Sequence, residues 1–259
     1  LMSGIAMFKN VQPDSWRWIF LVAALPAVLG VVVACIVPES PGWLSARAHP
    51  TSPARSLPLW AVFCPPLLGP TLLGIALGAI PLLGGWGVTS WLIPWSDQAL
   101  GAVSPGAKAV TSILRSTGGA LGSLIGGWLA NLCGRRTAYF FISLVTVSIS
   151  EYIFFFLNPH HALFSPMTFV VGFVSTIFFG WLPLYLPELF PTEARATGTG
   201  VSFNFGRILT AFGVLGTGTL TSAFGGDYAA AGRVTSLIYA FGMVVILFAP
   251  DTTGRKLRG

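Results

Sequence analysis

Residues 134–159 read GRRTAYFFISLVTVSISEYIFFFLNP. Between Arg136 and Asn158 the run carries a single charge, Glu151. A helix rises 1.5 Å per residue, so about 20 apolar residues cross a hydrocarbon core of about 30 Å. The side chains do not alternate apolar and polar, as a barrel strand would require. The stretch is therefore expected to be a membrane-spanning helix, bounded by Arg135 and Arg136 at one end and by Asn158-Pro159-His160-His161 at the other.

The rest of the chain agrees. It has 259 residues, 54% hydrophobic and only 8% charged, with a mean hydropathy of +0.77. Soluble domains carry about 25% charge. The composition excludes a soluble enzyme, a disordered tail and a coiled coil. Seven apolar stretches stand out, near 18–37, 71–93, 107–129, 137–157, 167–186, 196–220 and 232–249. Twelve spans of about 20 residues would leave almost nothing for loops, whereas seven leave ample connections. The class expected is all-α integral membrane, and no enzyme activity is expected.

The net charge is +6. In a membrane protein this reflects Lys and Arg held on the cytoplasmic side, and no nucleic-acid partner is expected. One set of gaps holds Arg47, Arg55, Arg135, Arg136, Arg195 and the tail cations Arg255, Lys256 and Arg258; the other holds Lys9, Arg17, Lys108 and Arg233. The bias places the C-terminus in the cytoplasm and the N-terminus outside. Trp16, Trp18, Trp91, Trp95 and Trp181 fall near span ends and suit interfacial anchoring. Leu57–Pro66 reads as a short interfacial helix, although its Pro pair argues against a long one. Cys35, Cys64 and Cys133 form no CxxC and are expected to be neither disulfides nor metal ligands. No signal peptide is read at Leu1, and a start without Met suggests a piece of something longer.

Four gaps on the inward side carry recognisable residues. They are Pro38-Glu39-Ser40-Pro41-Gly42-Trp43-Leu44, then GWLANLCGRR at 127–136, PELFPTEARATG at 187–198 and PDTTGR at 250–255. Together they resemble the major facilitator superfamily, in the sugar-porter, synaptic-vesicle-type and aromatic-acid/proton symporter branch. That branch carries PESPRWL, GxxxDRxGRR, PExFPTxxRxxG and PETKG in this order. The resemblance implies that the seven spans correspond to helices six to twelve of a twelve-helix transporter. Residues 1–37 would then be the end of the N-terminal half, with a remnant of helix five, and 38–70 a cytoplasmic inter-domain loop. Residues 71–250 would form the C-terminal six-helix domain and 251–259 a cytoplasmic tail. The missing N-terminal half would be needed for transport.

Departures qualify the resemblance. Gly42 stands for Arg, Asn131 for the loop Asp, Leu132 for its basic neighbour, and Asp251 and Thr253 for Glu and Lys. The resemblance gives the loop Asp a latching role, in which Asn131 can still hydrogen-bond but carries no charge. The paired Gln of sugar porters is absent from 84–91, which argues against a hexose and for an organic anion.

Ionisable residues inside membranes are functional candidates by default. Arg115 and Glu151 lie at similar depth in consecutive spans, as an intramembrane ion pair serving either substrate or packing. Arg207, three residues after Asn204, is the chief anion contact expected, or else a clamp on helix carbonyls. Trp86, Trp91, Trp181 and Tyr185 are candidate cavity walls. Pro183 and Pro187 should break the fifth span. Gly118, Gly122 and Gly126, with Gly74 and Gly78, form ridges that allow close helix packing. Arg135, Arg136, Glu188, Glu193 and Arg195, with Asn131, would form the cytoplasmic gating network that the resemblance implies. His160 and His161 read as loop, and no metal site is expected. No cofactor is expected, with proton or sodium coupling left open. The expected partners are a lipid bilayer and a small organic solute, in the inner (plasma) membrane. Competing readings are a truncated remnant or subunit, a sugar or other metabolite transporter of the same superfamily, and a seven-helix receptor.

Overall fold

The computed structural model describes residues 17–39, 44 and 58–252, which are helical with no strand. Residues 1–16, 40–43, 45–57 and 253–259 lie outside this description. With them go the expected helix-five remnant, Lys9, Trp16, Gly42, Arg47, Arg55, Thr253 and the tail cations.

The chain divides into two units, Leu1–Ser56 and Leu57–Gly259. In the first, α1 (Trp18–Ile36) is apolar along its length, with Pro26 inside it. Its apolar side chains are exposed, Leu21 at 75% and Ile36 at 73%. A helix apolar all round needs lipid or other helices about it.

The second unit holds α2 (Leu68–Leu100), α3 (Ala107–Cys133), α4 (Arg135–Phe156), α5 (Phe164–Thr176), α6 (Leu182–Tyr185), α7 (Arg195–Leu215), α8 (Thr217–Ala223), α9 (Tyr228–Ser236) and α10 (Ile238–Val245). Among the described residues, four segments are long and apolar enough to cross a membrane: Leu68–Leu100, Arg135–Phe156, Phe164–Leu189 and Tyr228–Phe248. Two more of the expected spans are long helices, α3 and α7, whose hydropathy is diluted by Gly, Ser, Thr and Arg. The apolar run of α1 is shorter, Phe20–Ile36. All seven expected stretches are thus helical, and the fold is an all-α, multi-pass membrane architecture. Outward-facing Leu124, Phe156 and Phe212 are 79%, 74% and 68% exposed, as lipid contact requires.

Breaks fall where sequence chemistry puts them. The fifth span tightens to 3₁₀ at Ile177–Gly180, restarts at α6 with Pro183 in its first turn, and ends in a 3₁₀ turn at Leu186–Leu189. The last span begins four residues before expectation, because Asp227 Oδ1 accepts from the Ala229 and Ala230 amides at 2.9 and 3.0 Å. Such a cap satisfies two orphan donors of the first turn. The expected interfacial helix near 57–66 is only a 3₁₀ turn, Leu59–Phe63, whose Val62 carbonyl accepts from Thr71 Oγ1 at 2.7 Å.

α2 runs through Pro81. Proline has no N–H, so the Leu77 carbonyl four residues earlier loses its helical donor. The buried Tyr139 hydroxyl of α4 supplies one instead, at 3.1 Å. Tyr139→Phe leaves that carbonyl unpaired in a dry core. The expected cost is about 1–3 kcal/mol, read as a lower melting temperature in detergent; an unchanged melting curve would show that the bond is dispensable.

Helix pairing is set by glycine. α3 packs most closely on α5, and α2 on α7. A Cβ at Gly118 would stand 2.3 Å from the Phe169 carbonyl oxygen, and one at Gly126 2.4 Å from that of Ile177. From the other side, a Cβ at Gly172 would meet the Arg115 carbonyl oxygen at 2.3 Å. In the second seam Gly74 faces Ser202, and Gly206 faces the Gly78–Ala79 backbone.

Candidate functional site

Two polar regions emerge. The first is a groove along one face of α2 and α7. Arg207, Thr210, Ala211 and Val214 recur at helical spacing on α7 and face Leu82 and Trp86 of α2 across about 660 Å³. Arg207 is exposed, its guanidinium 5.0 Å from the centre of the Phe203 ring. Arginine held over an aromatic face keeps donors free for a planar anion. Trp86 is 54% exposed. Asn204, expected beside Arg207 as a substrate contact, instead donates to the Gly200 carbonyl of its own helix at 2.8 Å.

Two expected walls are not walls. Trp181 and Tyr185 are fully buried, their rings 5.7 Å apart, within a core that includes Tyr139, Phe178 and Tyr239. Their aromatic surface is spent on interior packing, which fixes the interrupted fifth span.

The expected Arg115–Glu151 ion pair is also not made. Glu151 Oε1 accepts from Ser236 Oγ at 2.5 Å, so α4 turns its carboxylate toward α9. Arg115 sits in a separate slot with Ser116, Ser123 and Thr176. The reason is the glycine seam, which turns α3 onto α5 rather than onto its sequential neighbour α4.

The second polar region lies at the end of the bundle where α3 meets α4. Arg135 Nη2 lies 3.2 Å from Glu188 Oε1, with side chains 12% and 9% exposed. Arg135 Nη1 donates to Asn131 Oδ1 at 2.9 Å. Thr252 Oγ1 donates to the other Glu188 oxygen. Tyr185 donates to the Pro250 carbonyl at 2.8 Å, and Arg136 to that of Leu247, also at 2.8 Å. A cation on the last carbonyls of a helix satisfies groups that have no partner within it. Glu193 is exposed and takes no part in this cluster, while Arg195 reaches only Thr192 of its own turn at 3.4 Å. Thr252 and Tyr185 were not foreseen here, although Thr252 belongs to the 250–255 motif. At the other end Lys108 pairs with Asp97 at 3.5 Å and Arg233 with Asp227 at 3.9 Å.

This is a multi-pass α-helical membrane protein, with a cationic groove on one helix pair and a bonded charge cluster at one end. The family described as sugar (and other) transporter matches residues 1–57 and 97–254. The chain belongs to that family, within the major facilitator superfamily. It is 30% identical over 217 residues to the cis,cis-muconate transport protein of Acinetobacter baylyi, covering 81% of this chain and 51% of the relative. It is 29% identical to a probable 4-methylmuconolactone transporter of Cupriavidus pinatubonensis, covering 93% and 54%, and 25% identical to the sialic acid transporter of Escherichia coli, covering 94% and 57%. The chain spans about half the length of these relatives. No solved structure matches it significantly.

Proposed function

We propose that the protein is a secondary active transporter of a small organic anion, an aromatic or carboxylic acid, working by alternating access. This chain supplies the C-terminal half. The observation that carries the reading is the exposed Arg207 guanidinium in a groove walled by Trp86 and aliphatic side chains. A cation at span depth is costly unless it faces a cavity or a partner. In the assembled transporter the missing half would close that groove into a site between the halves. The relatives named for muconate, methylmuconolactone and sialic acid favour an acid as cargo.

The end bearing Arg135, Arg136 and Thr252 is cytoplasmic in this reading, with the protein in the inner membrane. Support comes from the sequence, whose gaps on that side hold Arg47, Arg55, Arg135, Arg136, Arg195 and the tail cations against Lys9, Arg17, Lys108 and Arg233 on the other. Coupling would be to protons or sodium.

The test is uptake of a labelled organic-acid panel by membrane vesicles carrying the full reading frame, with and without pH and sodium gradients. Arg207→Ala should lower uptake of the transported acid by about 10-fold or more at equal membrane level, as loss of a charge-assisted contact implies. Undiminished uptake would leave Arg207 a helix clamp. No uptake of any compound would favour a non-transporting remnant.

A further inference from the structure

Beneath the groove lies a second space. A slot of about 280 Å³ runs between α2, α7, α8, α9 and α10, lined among others by Trp86, Trp91, Gly213, Val234, Thr235 and Ile238. It shares Trp86, Thr210 and Val214 with the groove that holds Arg207. The two spaces therefore meet along one turn of α7 and one indole.

The slot is chemically apolar despite its threonines, because their protons are already committed. Thr210 Oγ1 donates to the Gly206 carbonyl at 2.8 Å and Thr217 Oγ1 to that of Val214 at 2.6 Å. Thr235 Oγ1 donates to the Ala231 carbonyl at 3.0 Å and accepts the Trp91 indole N–H, also at 3.0 Å. A sugar placed here would bury hydroxyls that find few partners, and each such group carries a desolvation penalty. A hydrocarbon or aromatic ring carries none. A dry apolar cavity of about 150 Å³ takes benzene, so this volume holds a substituted ring.

We propose that this slot is the ring subsite of the transport site. It takes the apolar body of an aromatic carboxylate whose anionic end meets Arg207. The inference rests on the organic-anion reading above and narrows it, since it excludes polyhydroxylated cargo and selects by ring size.

The test is binding of radiolabelled benzoate to the full-length protein in lipid-supplemented detergent, with naphthoate, succinate and glucose as competitors. Naphthoate should compete and glucose should not. Val234→Phe, which fills the slot from a half-exposed position, should weaken benzoate by about 10-fold, equivalent to about 1.4 kcal/mol. Ile238→Ala, which widens it, should improve naphthoate relative to benzoate by about 5-fold, on the scale of a few methylenes in a pocket. Arg207→Ala should weaken every carboxylate alike. If both slot variants leave benzoate and naphthoate unchanged while Arg207→Ala weakens them, the subsite is overturned and the organic-anion reading stands. Benzoate binding that responds to delipidation but not to the slot variants also overturns it, and makes the slot an acyl-chain site. Carboxylate binding indifferent to Arg207→Ala, or competition by glucose, overturns the reading on which the proposal rests.

Discussion

Gly122→Leu is expected to leave little or no folded protein in the membrane, and Gly122→Ala to lower both its level and its melting temperature. A Cβ at Gly122 would lie 2.0 Å from the Phe173 carbonyl oxygen, with the Phe173 carbonyl carbon at 2.8 Å. These are backbone atoms of the facing helix, so no rotamer change relieves the clash. The seam is glycine on both faces, with Gly172 and Gly180 of the fifth span against α3. The two helices must separate along its length, losing close packing that in a bilayer replaces the hydrophobic drive between helices. Overpacking a core costs about 1–3 kcal/mol for an ordinary site, and a rigid seam sits at the upper end or beyond. Gly200→Ala and Gly218→Ala are the matched controls. Both glycines are helical and have nothing within 4 Å of an added Cβ. There alanine should be neutral or stabilise by about 0.5–1 kcal/mol, through lost unfolded-state entropy. Fluorescence-detected size-exclusion and thermal melting read all four variants. Wild-type behaviour of Gly122→Leu would mean that close approach of α3 to the fifth span does not hold the fold together.

That seam also explains what sequence could and could not foretell. The spans were legible because crossing a bilayer demands about 20 apolar residues, a signal that survives without partners. The Arg135–Asn131–Glu188 cluster was legible because its members sit in short charged gaps with a recognisable order. Helix pairing was not. The ordinary expectation that consecutive helices are neighbours put Arg115 against Glu151, yet the glycines of α3 meet α5, and Glu151 bonds Ser236 of α9. The ridge was visible in the sequence; its counterpart on the fifth span, Gly172 and Gly180, was not read as one. Trp181 and Tyr185 failed for a related reason. In an apolar span every face is hydrophobic, so no moment tells the cavity side from the core side. The early start at Tyr228 turned on one Asp side chain reaching two amides, which composition alone leaves open.

Glu188→Ala is expected to cost about 3 kcal/mol, the lower end of the range for breaking a buried ion pair. Arg135 and Glu188 are both about nine-tenths buried. The loss leaves Arg135 with Asn131 as a neutral partner and removes the acceptor of the Thr252 hydroxyl, itself 1% exposed. Three elements are tied at this one carboxylate: the α3–α4 junction, the end of the fifth span, and the segment after the last helix. A structural knot and a gate make different predictions about them. Arg135→Ala in the Glu188→Ala background should cost much less than in wild type, giving a coupling of about 1–3 kcal/mol in a double-mutant cycle. The Thr252 loss is common to Glu188→Ala and the double variant, so it cancels from the cycle. Costs that simply add would mean that Arg135 and Glu188 stabilise the fold independently and not as a pair. Glu188→Gln then separates knot from gate. Its one amide oxygen can accept from Arg135 while the Thr252 hydroxyl turns to accept from the amide N–H, so the contacts are kept without the charge and part of the stability should return. If the cluster is only a knot, uptake by the full-length protein recovers with stability. If the charge pair holds one of two conformations, the population it favours changes even when folding is restored. A bias of about 1.4 kcal/mol shifts that equilibrium 10-fold, and uptake should then depart from stability in Glu188→Gln.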